Sequence, residues 1–400
     1  MDMTFSAEYE ALRSEIHAFL GDNAELVAEL SDQSRTSGLQ YVPRFPEFAA
    51  LAVAAGYYGR NMPRRYGGAE RPYDAIAALI IREEFGQAGL PDALPGMGPR
   101  LLAPTLLAHG NDWQKEVFLP PTMAMKLHWC QGYSEPEAGS DLASLCTRAE
   151  LDGDEWVING QKVWTTGAQH ADYMFCLCRT EPGALRHEGI SYIIIDMKQP
   201  GVEVRPLRQL TGDSEFNEVF LTNARAPLAH LVGQRGAGWK VAMTTLGHER
   251  ASMGAGDGTY GRQVEALWTR ACTPDADGLR AIDDAGVARD LCQLEARAAA
   301  NQFTQYRILS QAAAGQGTRT VSIMSKLVGS EIFQDIARCH AQMAATDLLE
   351  TPAGFRLGSV PGNPAAWNAL YLRSLGYAIA GGTSNIQRRL VAERGLGLPR

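Results

Sequence analysis

The chain lacks the features that place proteins in a membrane or among disulfide-rich folds. Among its 400 residues the longest clearly apolar stretch covers positions 75–81, which is far too short to cross a bilayer. Its seven cysteines include no Cys-x-x-Cys pair, so the sequence predicts neither a disulfide framework nor a zinc site. The N-terminus has no basic segment followed by an apolar one. We therefore expect no secretory signal and a reducing, cytoplasmic location.

An excess of positive charge is also missing. The sequence has 37 Lys and Arg against 45 Asp and Glu, a net charge of −8. This balance argues against nucleic acid or an anionic membrane as the main partner. An anionic ligand would have to be held by local Arg or Lys side chains and by backbone N–H groups.

Several common catalytic motifs do not occur. There is no Walker A loop, no His-Glu-x-x-His and no Gly-x-Ser-x-Gly. The glycines at 236–238 and 254–258 lack the strand-to-helix setting of a dinucleotide fingerprint, which disfavours Rossmann binding of NAD. His248 lacks the second histidine of a metal motif, so no metal site is predicted.

What the sequence does contain is a change of periodicity along the chain. Apolar residues at helical spacing mark residues 1–125, beginning with Tyr9, Leu12, Ile16 and Phe19. Residues 126–238 alternate as strands do, and 239–400 return to long helical runs. We expect an α+β fold with an N-terminal α-helical domain, a central β-domain and a C-terminal helical domain.

The β-zone gives more detailed expectations. Asn159-Gly160 between two apolar runs predicts a hairpin with a two-residue turn, because this pair tolerates the positive φ that such a turn needs. Cys176 and Cys178 fall on one face of an alternating strand and are expected to be buried thiols. Further strands are predicted at 173–177, 192–196, 202–204 and 218–221.

Two short constellations carry the functional signal. The first is Glu-Pro-Glu-Ala-Gly-Ser-Asp at 135–141, followed by Trp-Thr-Thr at 164–166. Glycine lets a backbone approach a ligand closely, and short hydroxyls can hydrogen-bond to ring nitrogens and oxygens. The alternative is a plain Gly/Ser turn followed by a buried tryptophan. The combination favours the edge of a planar aromatic cofactor, and hence a flavin enzyme.

The second constellation is Ala-Gly-Gly-Thr-Ser-Asn-Ile-Gln-Arg at 380–388. The two glycines end one helix, and Ser384 with Gln387 predicts a capping box at the start of the next. Free N–H groups at such a start suit a phosphate or a carbonyl oxygen. A helix corner without a ligand is the alternative, and the local sequence leaves both open.

Taken in order, these segments resemble the acyl-CoA dehydrogenase family almost from end to end. The similar segments are 51–68, 134–141, 159–166, 217–239 and 382–397. The resemblance implies an N-terminal α-helical domain, a central β-barrel and a C-terminal four-helix bundle. It also implies FAD between the β-domain and the bundle, completed by a neighbouring subunit. Expected partners are an acyl-CoA substrate and an electron-transfer flavoprotein, in a homotetramer or an α2β2 heterotetramer.

The resemblance also implies roles for particular residues of this sequence. The side chains implied to line the isoalloxazine ring are Gln131, Ser134, Trp164 and Thr166, with Thr166 donating to the N5 edge. Those implied at the FAD diphosphate and adenosine portion are Thr383 and Asn385. The implied substrate contacts are Ser140, beside the CoA chain, and Arg250.

The catalytic base is where this chain departs from most relatives. Dehydrogenation of a thioester needs a carboxylate at the α carbon and donors for the developing enolate oxygen. Most relatives carry that glutamate directly before Gly-Thr in the C-terminal loop, but here the position is Gly381. A minority carries the base in a Glu-Arg step on a bundle helix, and this chain has Glu249-Arg250. We predict Glu249 as the base, with the Gly381 N–H and an FAD ribityl hydroxyl polarising the carbonyl. The alternative is a solvated surface ion pair.

Two family segments, Arg-x-x-Phe-Gly and Leu-Gly-Gly-x-Gly, are replaced by other sequences at 270–277 and 348–354. How the adenosine half of FAD is held is therefore open. The resemblance of residues 379–387 to branched-chain, long-chain and sterol-side-chain relatives favours a branched or bulky acyl group. Alternatives are an oxidase or flavin monooxygenase on the same fold, and a non-catalytic or half-site subunit of an α2β2 heterotetramer.

Overall fold

The computed structural model describes residues 5–33, 39–252, 258–275, 277–316, 319–354 and 360–399, without the side chains of 250–252, 312–313, 319–320 and 345–346. The helices that precede the strands are α1 (Ala7–Asp22), α2 (Ala24–Gln33), α3 (Phe45–Ala54), α4 (Ala75–Gln87), α5 (Ala103–His109) and α6 (Asp112–Met123). None of the helices in the described ranges has the length and apolar content that crossing a bilayer requires.

The strands occupy the middle of the chain and a second set of helices follows them. The strands are β1 (Trp129–Gly132), β2 (Arg148–Asp152), β3 (Glu155–Lys162), β4 (Tyr173–Arg179), β5 (Ile190–Asp196), β6 (Val202–Leu207), β7 (Phe216–Pro227) and β8 (Leu231–Val232). The later helices are α7 (Gly238–Ser252), α8 (Thr259–Cys272), α9 (Ala285–Ala313), α10 (Arg319–Ala344), α11 (Pro364–Tyr377) and α12 (Ser384–Leu390). This order confirms the expected α+β fold of helices, sheet and helices.

The chain divides into two compact units that do not follow its order. The sheet unit comprises Phe45–Pro72 and Ala93–Glu249. The bundle unit comprises Met1–Arg44, Tyr73–Asp92 and Arg250–Arg400. Because the units interleave segments of the sequence, the domain boundaries after residues 125 and 238 stay predictions.

The sheet unit is built on one sheet with the order β6-β7-β3-β2-β4-β5-β8, and β1 pairs with β4. Its central strands are buried along almost their whole length, since β4 and β5 are covered on both faces. The thiols of Cys176 and Cys178 lie fully buried with their sulfur atoms 3.6 Å apart. The expectation of two buried thiols is confirmed.

The hairpin predicted at Asn159-Gly160 was wrong. Both residues lie inside β3, and the turn between β2 and β3 is at residues 153–154, where Asp152 faces Glu155. Opposite Asn159, the partner strand β7 bulges, because Ile158 faces Ala224 while Gly160 faces Leu221. Glycine is needed at position 160 for packing, since a Cβ there would lie 2.7 Å from the Cα of Thr147.

The bundle unit has its core among the four helices α8, α9, α10 and α11. Fully buried apolar side chains from each helix meet there, including Leu267, Leu291, Ile336 and Leu370. The helix α11 begins with a side-chain cap, because the Asn363 carboxamide accepts the Ala366 N–H at 2.8 Å. Pro364 occupies the first helical position, where its fixed φ is favourable.

Candidate functional site

The two β-zone motifs meet at one edge of the sheet unit. The Val163 N–H donates to the Ser134 carbonyl at 2.9 Å, so the segment after β1 lies beside the segment after β3. Trp164 follows directly, 61% exposed, with its ring edge-on to Phe216 at 5.9 Å. Its φ of 59° lies in the left-handed region, which costs a non-glycine residue about 1–2 kcal/mol. Strain at an exposed aromatic residue is typical of a binding site.

The polar side chains of the segments after β1 and β3, with Gln131 of β1, fit the edge of a flavin ring. Gln131, Ser134 and Thr166 are partly exposed, and their side chains make no hydrogen bond with other residues that the structure describes. The Thr166 N–H is likewise unused within the described ranges. Beneath them, Thr165 is buried and its N–H donates to the Asn217 carbonyl at 3.0 Å. A hydrogen-bonded backbone therefore carries several available donors and acceptors, which fit the polar edge of FAD; the individual contacts stay predictions.

A buried ion pair lies directly under this segment, and the sequence reading missed it. The Lys162 ammonium donates to the Glu135 carboxylate at 2.8 Å, and both side chains are buried. The signal that could have revealed it is strand parity. Lys162 shares the inward face of β3 with Trp156 and Ile158.

The loop that contains Ser140 is exposed but anchored. Ser140 itself is exposed, and the segment after it ends in a turn at residues 142–144. From β4, the Arg179 guanidinium donates to the Leu145 carbonyl at 2.9 Å and to the Ala143 carbonyl at 2.6 Å. Arg179 therefore fixes the position of the loop that is implied to lie beside the CoA chain.

Glu249 lies on α7, one turn after a threonine that packs into the sheet unit. The Thr245 hydroxyl is buried 3.0 Å from that of Thr105 on α5. Glu249 shares this helix face because residues four apart lie one above the other. It is partly buried and lies close enough to act on Tyr133, the residue before Ser134. Burial chiefly raises the pKa of Tyr133, the neighbouring Tyr192 raises it next, and the Glu249 carboxylate adds the smallest increase.

In the sheet unit, therefore, Glu249, Tyr133 and Ser134 belong to one neighbourhood. The assignment of Glu249 as the base stays a prediction. The side chain of Arg250, the other member of the Glu-Arg step, lies outside the described residues.

In the bundle unit, the loop before α12 has the backbone shape that two glycines allow. Gly381 and Gly382 have φ values of 65° and 99°. The Lys326 ammonium is buried beneath the loop, where it donates to the Gly382 carbonyl at 2.8 Å and to the Ala378 carbonyl at 3.2 Å. The Gly381 N–H makes no hydrogen bond with any described residue. Its predicted role as a donor to a carbonyl oxygen stays a prediction.

The capping box predicted for Ser384 and Gln387 was wrong by one residue. The N-cap is Thr383, whose hydroxyl accepts the Ile386 N–H at 3.4 Å. The Gln387 carboxamide instead reaches back to the Gly381 carbonyl at 3.0 Å, which stabilises the loop. Asn385 is exposed in the first turn of α12.

The first segment that replaces a missing family motif is joined to the residue just before the second. Arg270 at the end of α8 forms an ion pair with Asp347, just before the 348–354 segment. Asn368 of α11 donates to the Asp347 carbonyl at 2.7 Å. Arg270 is thus paired with a carboxylate of the same chain.

A cavity of about 470 Å³ lies elsewhere in the sheet unit. It is lined by residues 168–171 together with Met197, Lys198, Val204 and Pro206, and none of the predicted site residues is among them. Among the described residues, no group of three or more His, Cys, Asp or Glu side chains is arranged to hold a metal ion.

Comparison with known families gives matches along most of the chain. The acyl-CoA dehydrogenase N-terminal domain matches residues 6–126, the middle domain 130–224 and the C-terminal domain 236–396. The chain therefore belongs to the acyl-CoA dehydrogenase family. It is an oxidoreductase of that type, and the members of this family are FAD-dependent flavoproteins.

One curated relative and two solved structures show how far this similarity extends. The acyl-CoA dehydrogenase IpdE1 of Mycobacterium tuberculosis (strain ATCC 25618 / H37Rv) is 36% identical over 400 residues, covering 98% of each chain. A solved structure described as the Tcur3481-Tcur3483 steroid ACAD has a TM-score of 0.81 at 30% identity and covers 100% of both chains. The ChsE4-ChsE5 complex from Mycobacterium tuberculosis has a TM-score of 0.78 at 31% identity, also with 100% of both chains covered.

Proposed function

We propose that this enzyme dehydrogenates a bulky acyl-CoA thioester at the α,β position, with a steroid side chain as the favoured acyl class. The observation that carries the substrate class is the end-to-end similarity to a structure described as a steroid ACAD. The neighbourhood of Ser134, Trp164 and Glu249 in the sheet unit supports the reaction type. Electron transfer to an electron-transfer flavoprotein completes the proposed cycle.

The proposed chemistry assigns one task to each group of residues. Glu249 takes the α proton of the thioester as general base. The Gly381 N–H donates to the thioester carbonyl, where negative charge develops as the proton leaves. Gln131, Ser134, Trp164 and Thr166 hold the flavin ring, and Thr383 and Asn385 its diphosphate and adenosine portion. Bound FAD supplies the acceptor for the β hydride.

The substrate class is tested by anaerobic flavin reduction in the full-length protein. Short, branched, long-chain and steroid-side-chain acyl-CoAs are mixed with the protein, and loss of flavin absorbance is followed. We expect the fastest bleaching with the steroid-side-chain compounds. Fast bleaching by short straight chains alone would contradict the bulky-substrate proposal. Reoxidation by oxygen faster than by an artificial dye would favour the oxidase alternative.

A second candidate is a chain that contributes part of a site in a complex with a different chain. The Arg270–Asp347 ion pair favours it, because that arginine is already engaged where the family often holds a partner's FAD diphosphate. Two of the similar structures are described by pairs of protein names. A colourless monomer after purification without a partner would support this candidate. A yellow homotetramer would count against it.

A further inference from the structure

We propose that Lys162 and Glu135 are positioning residues for the flavin-binding segment. The pair holds the backbone on both sides of Ser134 and keeps that segment in place beside Trp164. This inference rests on the proposed function only in taking Ser134 and Trp164 as flavin contacts. It requires neither a particular acyl group nor Glu249 as the base.

The lysine side of the pair fixes the chain before and after Ser134. The Lys162 ammonium, 0% exposed, donates to the Tyr133 carbonyl at 3.3 Å and to the Glu135 carboxylate at 2.8 Å. Its third bond goes to the Leu177 carbonyl on β4 at 2.8 Å. One buried cation therefore ties the residues on either side of Ser134 to the central strand of the sheet.

The glutamate side extends the same anchor to the substrate loop. The Glu135 carboxylate, 7% exposed, accepts the N–H groups of Cys146 at 2.6 Å and Thr147 at 2.9 Å. These residues lie between the Ser140 loop and β2. Burial alone raises the pKa of Glu135, but the Lys162 ammonium and the hydrogen-bond donors outweigh it and hold the pKa below its usual value. The carboxylate is therefore charged at neutral pH.

Lys162 also connects this anchor to Trp164. It is the last residue of β3, and Val163 then donates to the Ser134 carbonyl at 2.9 Å. Trp164 follows in its left-handed conformation. A shift of the Lys162 side chain would thus move both predicted flavin segments at once.

Stability alone does not account for a fully buried pair. Two charges lose their hydration on burial, and an apolar pair of similar volume is often as stable or more stable. An uncharged Met–Gln pair cannot supply the donor for the Tyr133 and Leu177 carbonyls, nor the two carboxylate oxygens that accept the two N–H groups. This difference separates a positioning role from a structural one in an experiment.

The test compares Lys162→Met, Glu135→Gln and the double variant with the wild type, in full-length protein stripped of FAD and titrated with it again. Thermal unfolding of the apoprotein, the FAD dissociation constant and the visible spectrum at saturating FAD are measured. Each single variant strands one buried charge, so we expect both its unfolding temperature and its FAD affinity to fall. The double variant leaves no unpaired charge, so it is expected to recover part of the lost unfolding temperature. We expect it to bind FAD about tenfold more weakly and with a shifted flavin spectrum, because the charged hydrogen bonds are gone.

The matched control is a surface pair of the same unit, Lys198 with Asp172, in which Lys198 is 71% exposed. Lys198→Met is expected to change neither FAD affinity nor spectrum. A double variant that binds FAD with wild-type affinity and spectrum would show the pair to be structural only. One that fails to fold would also contradict the proposal. Since these readouts need no substrate, an error in the proposed base or acyl class would leave them unchanged.

Discussion

Replacing His340 with phenylalanine is predicted to remove an acid-sensitive point in the bundle unit. The His340 ring is fully buried and stacks on Trp367 with centroids 4.7 Å apart and an interplanar angle of 10°. Neither ring nitrogen has a hydrogen-bond partner among the described residues. Burial, and then the nearby Arg270 cation, lower the pKa of His340 from 6.5 to about 4, against a smaller opposing effect of Asp347.

The size and sign of the effect follow from proton linkage. Lowering the pKa from 6.5 to about 4 corresponds to about 3 kcal/mol. The folded state binds the proton less readily than the unfolded state. The stability contribution is therefore complete above pH 6.5 and is lost as the pH falls through the folded pKa. Phenylalanine keeps the stacking partner and binds no proton, so its advantage over histidine grows toward pH 4.

The assay is thermal unfolding of wild type and His340→Phe with saturating FAD at pH 7.5, 6.0, 5.0 and 4.5. We expect equal or higher stability of the variant at pH 7.5 and a gap of several degrees in its favour by pH 4.5. His170→Gln, a change at an exposed histidine, is the control and should leave the pH profile as in the wild type. Parallel curves for His340→Phe and wild type would refute the reasoning.

Three further predictions concern Gly160 in β3, Lys326 beneath the 378–382 loop, and Trp164. Gly160→Ala is expected to lower the free energy of unfolding by about 1–3 kcal/mol through overpacking. Gly139→Ala is the control, because a Cβ there meets no atom within 4 Å, and it should change the unfolding temperature little. Equal effects of the two variants would contradict this packing. Lys326→Met removes two hydrogen bonds to the 378–382 loop, so amide hydrogen exchange in that loop is expected to accelerate while exchange in the sheet stays the same. Unchanged exchange in the loop would show that Lys326 does not hold it in place. Trp164→Ala is expected to change the free energy of unfolding of the apoprotein by no more than about 0.5 kcal/mol, because the ring is exposed, but to alter the flavin spectrum. An unaltered spectrum would show that Trp164 does not contact the flavin.

The sequence predicted the sheet edge that carries the motifs, because short motifs and strand alternation are local signals. Strands were expected at 173–177 and 192–196, and β4 and β5 contain them. The hairpin failed for a non-local reason. Asn159 pairs with Asn223 across two strands, with the Asn223 N–H donating to its carboxamide at 2.8 Å. Asn-Gly therefore continues the strand, stabilised by a contact with a residue 64 positions further along the chain.

The other two misses have separate causes, one local and one non-local. Thr383 and Ser384 are both good N-cap residues, so the sequence does not decide between them. The cap is Thr383, one residue before the predicted one, and the Gln387 carboxamide then donates to the Gly381 carbonyl. Charged residues such as Lys162 are expected on the surface by default, because burial without a partner is costly. Only the position of Glu135 in space supplies that partner, and spacing along the chain does not reveal it.

The central claim is that Glu249 removes the α proton, and Glu249→Gln tests it most directly. The variant keeps the shape of the side chain but cannot accept the proton. It is mixed anaerobically with the acyl-CoA that reduces the wild type fastest, and flavin absorbance and substrate binding are followed together. The account predicts that the variant binds the substrate, as shown by perturbation of the flavin spectrum, while bleaching slows by at least about a hundredfold. Bleaching at the wild-type rate would contradict the account.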